Sequence, residues 1–282
     1  MSMTQIYLYQ NEFVAKEALH ISPEDRGYYF GDGLYEVIRV YNGKLYEAGP
    51  HFARLTRTAE ALRIPLPFTE DELSAQLEKL IQVNELHEGS VYMQITRGAA
   101  PRSHPFPASA EPILMAYTTS YQRPVATLEE GITAVTTDDI RWLRCDLKTL
   151  NLLPNVMAKQ HAMDQGAGDV IFHRSGTVTE SSSSNVMIVK NNVIKTHPAN
   201  NLILHGITRL VVLRLAKQEG IQLEEAAFTV DELLNADEVF ITSTTAEVTP
   251  VIQIDGKAIG SGKPGPLTRQ LQTAFEATIP SK

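Results

Sequence analysis

An α+β fold is predicted by three features of the 282-residue sequence. Strand-like runs outnumber helical ones. Many are joined by tight-turn pairs, Asn42-Gly43, Ser175-Gly176, Asn191-Asn192 and Asp255-Gly256, which favour antiparallel hairpins over a doubly wound parallel sheet. A proline-containing break, SYQRPV at 120–125, separates two halves that each mix both types. Two domains are expected, 1–120 and 121–282, the second larger and carrying Lys148, with mixed, largely antiparallel sheets and flanking helices.

In the first half, QIYLYQNEFV reads as a strand and YEVIRVYNGKLYEA as a hairpin from Tyr35 to Tyr46. Pro50 suits the first position of a helix whose apolar residues Phe52, Leu55, Ala59 and Leu62 recur at helical spacing. Thr69 and Glu72 form a capping box ahead of Leu73, Leu77 and Leu80. SVYMQITRG and EPILMAYTT read as strands around the loop PRSHPFP, whose prolines exclude regular structure.

The second half continues with the strand ITAVTT and a helix over 155–165 closed by Gly166. Next come the hairpins DVIFHRSGTVTE and NVMIVKNNVIKTH, the helix GITRLVVLRLAKQEG ending at Gly220, a capped helix in TVDELLNA, and strands through EVFITSTTAEVTPVIQIDGKAI.

Composition narrows the function classes. Hydrophobic residues at 43 % and charged residues at 21 % are those of an ordinary globular protein, and no apolar run approaches the roughly 18 residues of a membrane span. The N-terminus lacks the basic and apolar regions of a secretory signal, so a cytoplasmic location is expected. A net charge of −8 without basic runs argues against nucleic-acid binding. The single cysteine, Cys145, excludes an intrachain disulfide framework and a cysteine-rich zinc site, and no metal is expected; the residue reads as a small buried filler.

Several separated features fit one cofactor, pyridoxal phosphate, which needs an imine-forming lysine, a carboxylate at the pyridinium nitrogen and an anion site. Lys148 stands in RWLRCDLKTLNLL among apolar and hydroxylated neighbours, where partial burial disfavours an ammonium. Glu180 ends a strand and enters the hydroxyl-rich turn Ser181–Ser184, so its carboxylate would be oriented. Gly206, Ile207 and Thr208 open a helix whose N-terminus could hold a phosphate, and Ser243 and Thr244 add hydroxyls at a strand end. Arg54 could supply positive charge, although an arginine on an amphipathic helix usually faces solvent. A nucleotide site is not expected, because the glycines at 31–33 lack the spacing of a phosphate-binding fingerprint.

In EDRGYYFGDGLYEV, HFARL, TRGAAPRSHPFP, DIRWLRCDLKTLNLL, TESSSSN, GITR and TSTTAEVTP, nearly the whole chain resembles the class IV, or fold type IV, pyridoxal-phosphate aminotransferases, and within them the D-amino-acid aminotransferases. The resemblance implies a two-domain fold type IV architecture. It implies Lys148 as the Schiff-base lysine and proton shuttle, and Glu180 as the partner of the pyridine nitrogen. Arg54, Ser183, Ile207, Thr208, Ser243 and Thr244 would bind the cofactor. Tyr35, Arg102 and His104 would trap the substrate α-carboxylate, the arginine loop coming from the partner subunit of a homodimer. Ser181 replaces a glycine common after the glutamate, and Asp169 replaces a common glutamate, which shortens the reach of any pairing with Arg141.

The implied reaction is reversible transamination between D-amino acids, such as D-alanine, D-glutamate and D-aspartate, and 2-oxo acids such as 2-oxoglutarate. Rival readings are a branched-chain L-amino-acid aminotransferase, an aminodeoxychorismate-lyase-like enzyme, and a catalytically silent scaffold. The cationic PRSH loop favours the D-enzymes, and intact Lys148 and Glu180 speak against a scaffold.

Overall fold

The computed structural model describes residues 4–109 and 111–281. The chain divides into two units. The first comprises the residues up to Arg123, the segment Leu147–Asn151 and the chain end from Pro280; the second comprises Pro124–Asp146 and Leu152–Ile279. Among the described residues no helix is long and apolar enough to cross a membrane.

The first unit contains β1 (Ile6–Tyr9), β2 (Glu12–Ala15), α1 (Arg26–Phe30), β3 (Gly33–Tyr41), β4 (Lys44–Leu45), α2 (Ala48–Leu62), α3 (Glu70–Val83), β5 (Gly89–Thr96) and β6 (Ile113–Ser120). Its sheet has the order β2-β1-β6-β5-β3-β4 with every pairing antiparallel. Asn42 and Gly43, at φ 50° and 74°, take the left-handed conformations that a two-residue hairpin turn requires. The expected single strand at 5–14 is instead the β1–β2 hairpin, which reverses at Gln10 (φ 56°) and Asn11. Helix α2 begins two residues ahead of Pro50. The Thr69–Glu72 capping box is present at α3. Phe52, Leu55 and Ala59 of α2 join Leu73, Leu77 and Leu80 of α3 in a core with Leu34, Ile38, Val91 and Ile95 from the sheet.

The expected division fell at 120/121, with Lys148 in the second domain. The structure groups Leu147–Asn151 with the first unit because that segment bonds to the start of β3. Tyr35 N donates to Lys148 O (3.1 Å), Leu150 N to Gly33 O (3.1 Å), and Asn151 Nδ2 to Gly31 O (3.1 Å).

The second unit contains α4 (Val125–Glu130), β7 (Ile132–Asp138), α5 (Leu153–Asp164), β8 (Asp169–Arg174), β9 (Thr177–Ser181), β10 (Asn185–Lys190), β11 (Val193–Thr196), α6 (Ile207–Gln218), β12 (Gln222–Glu225), α7 (Val230–Leu234), β13 (Glu238–Ser243), β14 (Glu247–Ile254), β15 (Lys257–Ala258) and α8 (Pro266–Glu276). Its sheet runs β12-β11-β10-β13-β14-β7-β8-β9, with β15 on β14. The β11–β12, β14–β7 and β7–β8 pairs are parallel and the others antiparallel, so the sheet is mixed. Val178, Val186, Ile188, Phe228, Val239 and Ile241 lie in its core.

Candidate active site

In the first unit, β3 sends Tyr35 and Glu36 to opposite faces, as strand geometry dictates. Half-buried Lys148 lies with its Nζ 3.9 Å from the centroid of the Tyr35 ring. On the other face Glu36 is fully buried. Its Oε1 accepts from Arg54 Nε (2.7 Å), and its Oε2 lies 2.8 Å from Arg54 Nη2 and 2.7 Å from His51 Nδ1. Burial alone would raise the Glu36 carboxyl, but the Arg54 guanidinium, helped by His51, holds it far below the usual carboxylate range. Burial lowers the His51 pKa against the pull of Glu36, and the charges of Arg54 and Lys148 add to the lowering. Arg54 is therefore a buried, bidentate-paired residue, not one of a solvated helix face.

The PRSH loop is held by its backbone. Buried Arg26 donates from Nη1 to Ser103 O (2.6 Å) and from Nη2 to His104 O (3.3 Å), and its Nε bonds Asp32 Oδ2 at 2.7 Å. Arg97 grips the same carboxylate at 2.8 and 2.9 Å and lies 3.7 Å from the Phe106 ring centroid. Arg102 and His104 are left exposed and share the ring of Phe30, at 5.1 and 5.5 Å. The loop, braced through its backbone carbonyls, thus presents a guanidinium and an imidazole to solvent.

In the second unit, β9 carries Glu180 into the interior, 5 % exposed. Its Oε1 accepts from Arg141 Nη1 (2.5 Å), and its Oε2 accepts from Asn185 Nδ2 (3.0 Å) and Leu204 N (2.9 Å). Burial pushes this carboxyl upward, opposed by Arg141 and the Leu204 N–H. Asp139 binds Arg141 through both carboxylate oxygens, at 2.9 and 2.8 Å, and also receives Thr179 Oγ1 and Arg174 Nε. Arg141 is thereby committed to Asp139 and Glu180. Asp169, considered as its partner, instead accepts from Ser182 Oγ (2.6 Å) and Val170 N (2.8 Å). Cys145 is buried, its thiol pushed up to about 11 by burial and its Sγ–H directed at Trp142 O, which suits a filler and not a nucleophile.

Helix α6 starts at Gly206 without a side-chain cap, and Ile207 and Thr208 in its first turn are buried. Free first-turn N–H groups of this kind attract an anion. Ser243 and Thr244 are half-buried at the end of β13, and Ser243 Oγ accepts from Ala246 N at 3.2 Å. The neighbouring Thr242 Oγ1 and Ser181 Oγ are buried without a hydrogen-bond partner. Ser183, expected to bind cofactor, is exposed, whereas Ser181, Ser182 and Ser184 are buried.

Glu36, His51, Arg26, Asp32, Arg97, Asp139 and Asn185 were not among the expected site residues. For Glu36 a signal existed: a carboxylate between Leu34 and Ile38 on the buried face of a strand demands a buried partner. His51 and Arg54 lie on the side of α2 that also carries Phe52, Leu55 and Thr58 inward, so the helical period pointed them inward too.

Residues 33–254 match the sequence model of the family described as Amino-transferase class IV. The D-alanine aminotransferase of Bacillus licheniformis is 52 % identical over 275 residues, 98 % of this chain and 97 % of that protein. That of Staphylococcus haemolyticus is 50 % identical over 281 residues, covering 99 % of each. Among solved structures, the branched-chain amino acid aminotransferase of Escherichia coli superposes with a TM-score of 0.93 at 26 % identity, covering 98 % of this chain and 95 % of that one. The T.th. branched-chain amino acid aminotransferase with pyridoxamine 5'-phosphate gives 0.91 at 26 % identity over the same shares. A putative 4-amino-4-deoxychorismate lyase from Legionella pneumophila gives 0.83 at 26 % identity, covering 93 % and 97 %.

Proposed function

Because this chain belongs to the class IV aminotransferases, we propose that it binds pyridoxal 5'-phosphate and transfers amino groups reversibly between D-amino acids and 2-oxo acids. The observation that carries the reading is about 50 % identity to D-alanine aminotransferases along nearly the entire chain. The branched-chain reading draws on the fold neighbours, but their identity is only 26 %. Exposed Arg102 and His104 on a braced loop suit a carboxylate trap of the D-specific kind.

The residues fit the cofactor. An uncapped helix start at Gly206 suits a phosphate, buried Thr242 Oγ1 and Ser181 Oγ have unspent hydrogen bonds, and Glu180 offers a buried carboxylate to a protonated ring nitrogen. Ile207, Thr208, Ser243 and Thr244 would hold the phosphate end, together with Arg54, which Glu36 orients. Ser183, exposed in the turn after β9, would add a hydroxyl or backbone contact. Bound pyridoxal phosphate supplies an aldehyde for amino-group exchange and a ring that withdraws electrons from the substrate Cα–H bond.

Lys148 Nζ would serve as the nucleophile toward that aldehyde and afterwards hold and return the proton of the substrate Cα. Tyr35, whose ring lies against Nζ, would limit where the amine can point and offer its hydroxyl to the substrate carboxylate. Glu180, kept in place by Arg141, Asn185 and Leu204 N–H, would stabilise positive charge at the ring nitrogen. Arg102 would bind the carboxylate bidentately with His104 completing its shell, from a partner subunit in a homodimer. The enzyme would act in the cytoplasm.

Borohydride reduction of the yellow protein, followed by peptide mapping, tests the central assignment. The cofactor is expected on Lys148, with Lys148→Ala inactive. Label on any other lysine would refute it.

A further inference from the structure

One buried side chain of the TESSSSN motif reaches the site only through its contact with Glu180. Asn185, the first residue of β10, is 4 % exposed. Its two amide hydrogens are both used: Nδ2 donates to Glu180 Oε2 at 3.0 Å and to Leu204 O at 2.8 Å. Leu204 N donates to the same carboxylate oxygen at 2.9 Å. Three bonds therefore lace the buried carboxylate to the turn that leads into α6.

Gly206, at the end of that turn, reinforces the pattern. Its φ of −66° and ψ of 138° are open to any residue, so torsion does not require glycine there. Space does: an added Cβ would lie 2.1 Å from Asn185 Oδ1. The missing side chain lets the amide close onto the start of the helix.

We propose that Asn185 is a positioning residue that joins the two cofactor contacts of this unit, holding Glu180 and the entrance to α6 in one fixed relation. This rests on the assignment of Glu180 to the ring nitrogen and of α6 to the phosphate. An asparagine suits the task because a single amide nitrogen serves a carboxylate and a carbonyl at once, without adding charge beside Glu180.

The test uses full-length holoenzyme and two readouts besides turnover: the dissociation constant of pyridoxal phosphate, and the pH profile of the visible absorbance of the bound cofactor. Asn185→Ala should weaken retention by about tenfold or more, since it removes a donor from a buried charged group, and should shift the profile. Asn185→Asp keeps the shape but sets a second carboxylate against Glu180 Oε2, so the pair should take up a proton and move the profile further. Gly206→Ala should weaken retention in the wild-type background and add little in Asn185→Ala, where the clashing oxygen is gone. A purely structural asparagine would lower Tm yet leave both readouts at wild-type values, and that result would overturn the proposal. If Asn185→Ala does not fold, the same readouts on Asn185→Asp decide. Glu180→Gln and Thr208→Ala are the controls: if neither disturbs cofactor retention, the failure lies in the site assignment itself.

Discussion

Single side chains show where charge is made useful by burial. Arg102 is exposed and unburdened by an ion pair among the described contacts, so its guanidinium is available to a carboxylate. Arg102→Ala should raise KM for D-alanine and D-glutamate by roughly 10–150-fold, the equivalent of about 1.5–3 kcal/mol for a charge-assisted contact. His104→Ala should do less; steady-state kinetics on both variants checks the order. Glu36 behaves oppositely, being wholly committed inside the fold. Its folded pKa is depressed below the ordinary 4.5, so the unfolded chain binds more protons under acid, and the stability it contributes is lost as pH falls from 4.5 towards the folded value. Denaturant midpoints measured from pH 6 down to 3 should fall steeply in the wild type and less steeply in Glu36→Gln, which starts from a lower stability at pH 6. Equal slopes would show that Glu36 does not carry the acid sensitivity. Motif resemblance pointed to Lys148, Glu180 and the PRSH loop, whereas Glu36 was signalled only by its place between Leu34 and Ile38 on a buried strand face, and Asp139 carried no signal. What those two do is set in large part by partners on other elements, 18 positions away for Glu36–Arg54 and 35 and 40 for Asp139 with Arg174 and Thr179.

Whole elements were most legible where backbone conformation demands a particular residue. The turns at Asn42-Gly43, Ser175-Gly176 and Asn191-Asn192 all have positive φ at both positions, which is why their chemistry could be read directly. The α3 start was legible for a similar reason, because a capping box is a reciprocal side-chain arrangement written in four residues. Thr69→Ala should cost the first unit about 1 kcal/mol, visible as a lower denaturation midpoint with cofactor chemistry unchanged. A wild-type midpoint would mean that the cap is redundant. Helix α1 was missed because five residues between Asp25 and Gly31 are too few for periodicity to register. Helix α8, whose Leu267, Leu271 and Phe275 are buried at four-residue spacing behind Pro266, was legible in principle.

For the molecule as a whole, the α+β class and the antiparallel bias followed from the hairpin turns, and the all-antiparallel first sheet and mixed second sheet fit that expectation. The grouping of Lys148 with the first unit was not legible, because it depends on backbone bonds from 147–151 to the start of β3 and leaves no mark in the side-chain pattern. Stereochemistry is likewise a property of the assembled site. Two enantiomers can present the same Cα–H bond to one lysine only if carboxylate and side chain exchange places, so the proposed carboxylate trap on the Arg102 side would select the D-series. The most direct test is a panel of D- and L-alanine, aspartate, glutamate, leucine and valine, each assayed against 2-oxoglutarate with the holoenzyme. Turnover should be confined largely to the D-amino acids; preferential turnover of L-leucine or L-valine would contradict the D-specific account.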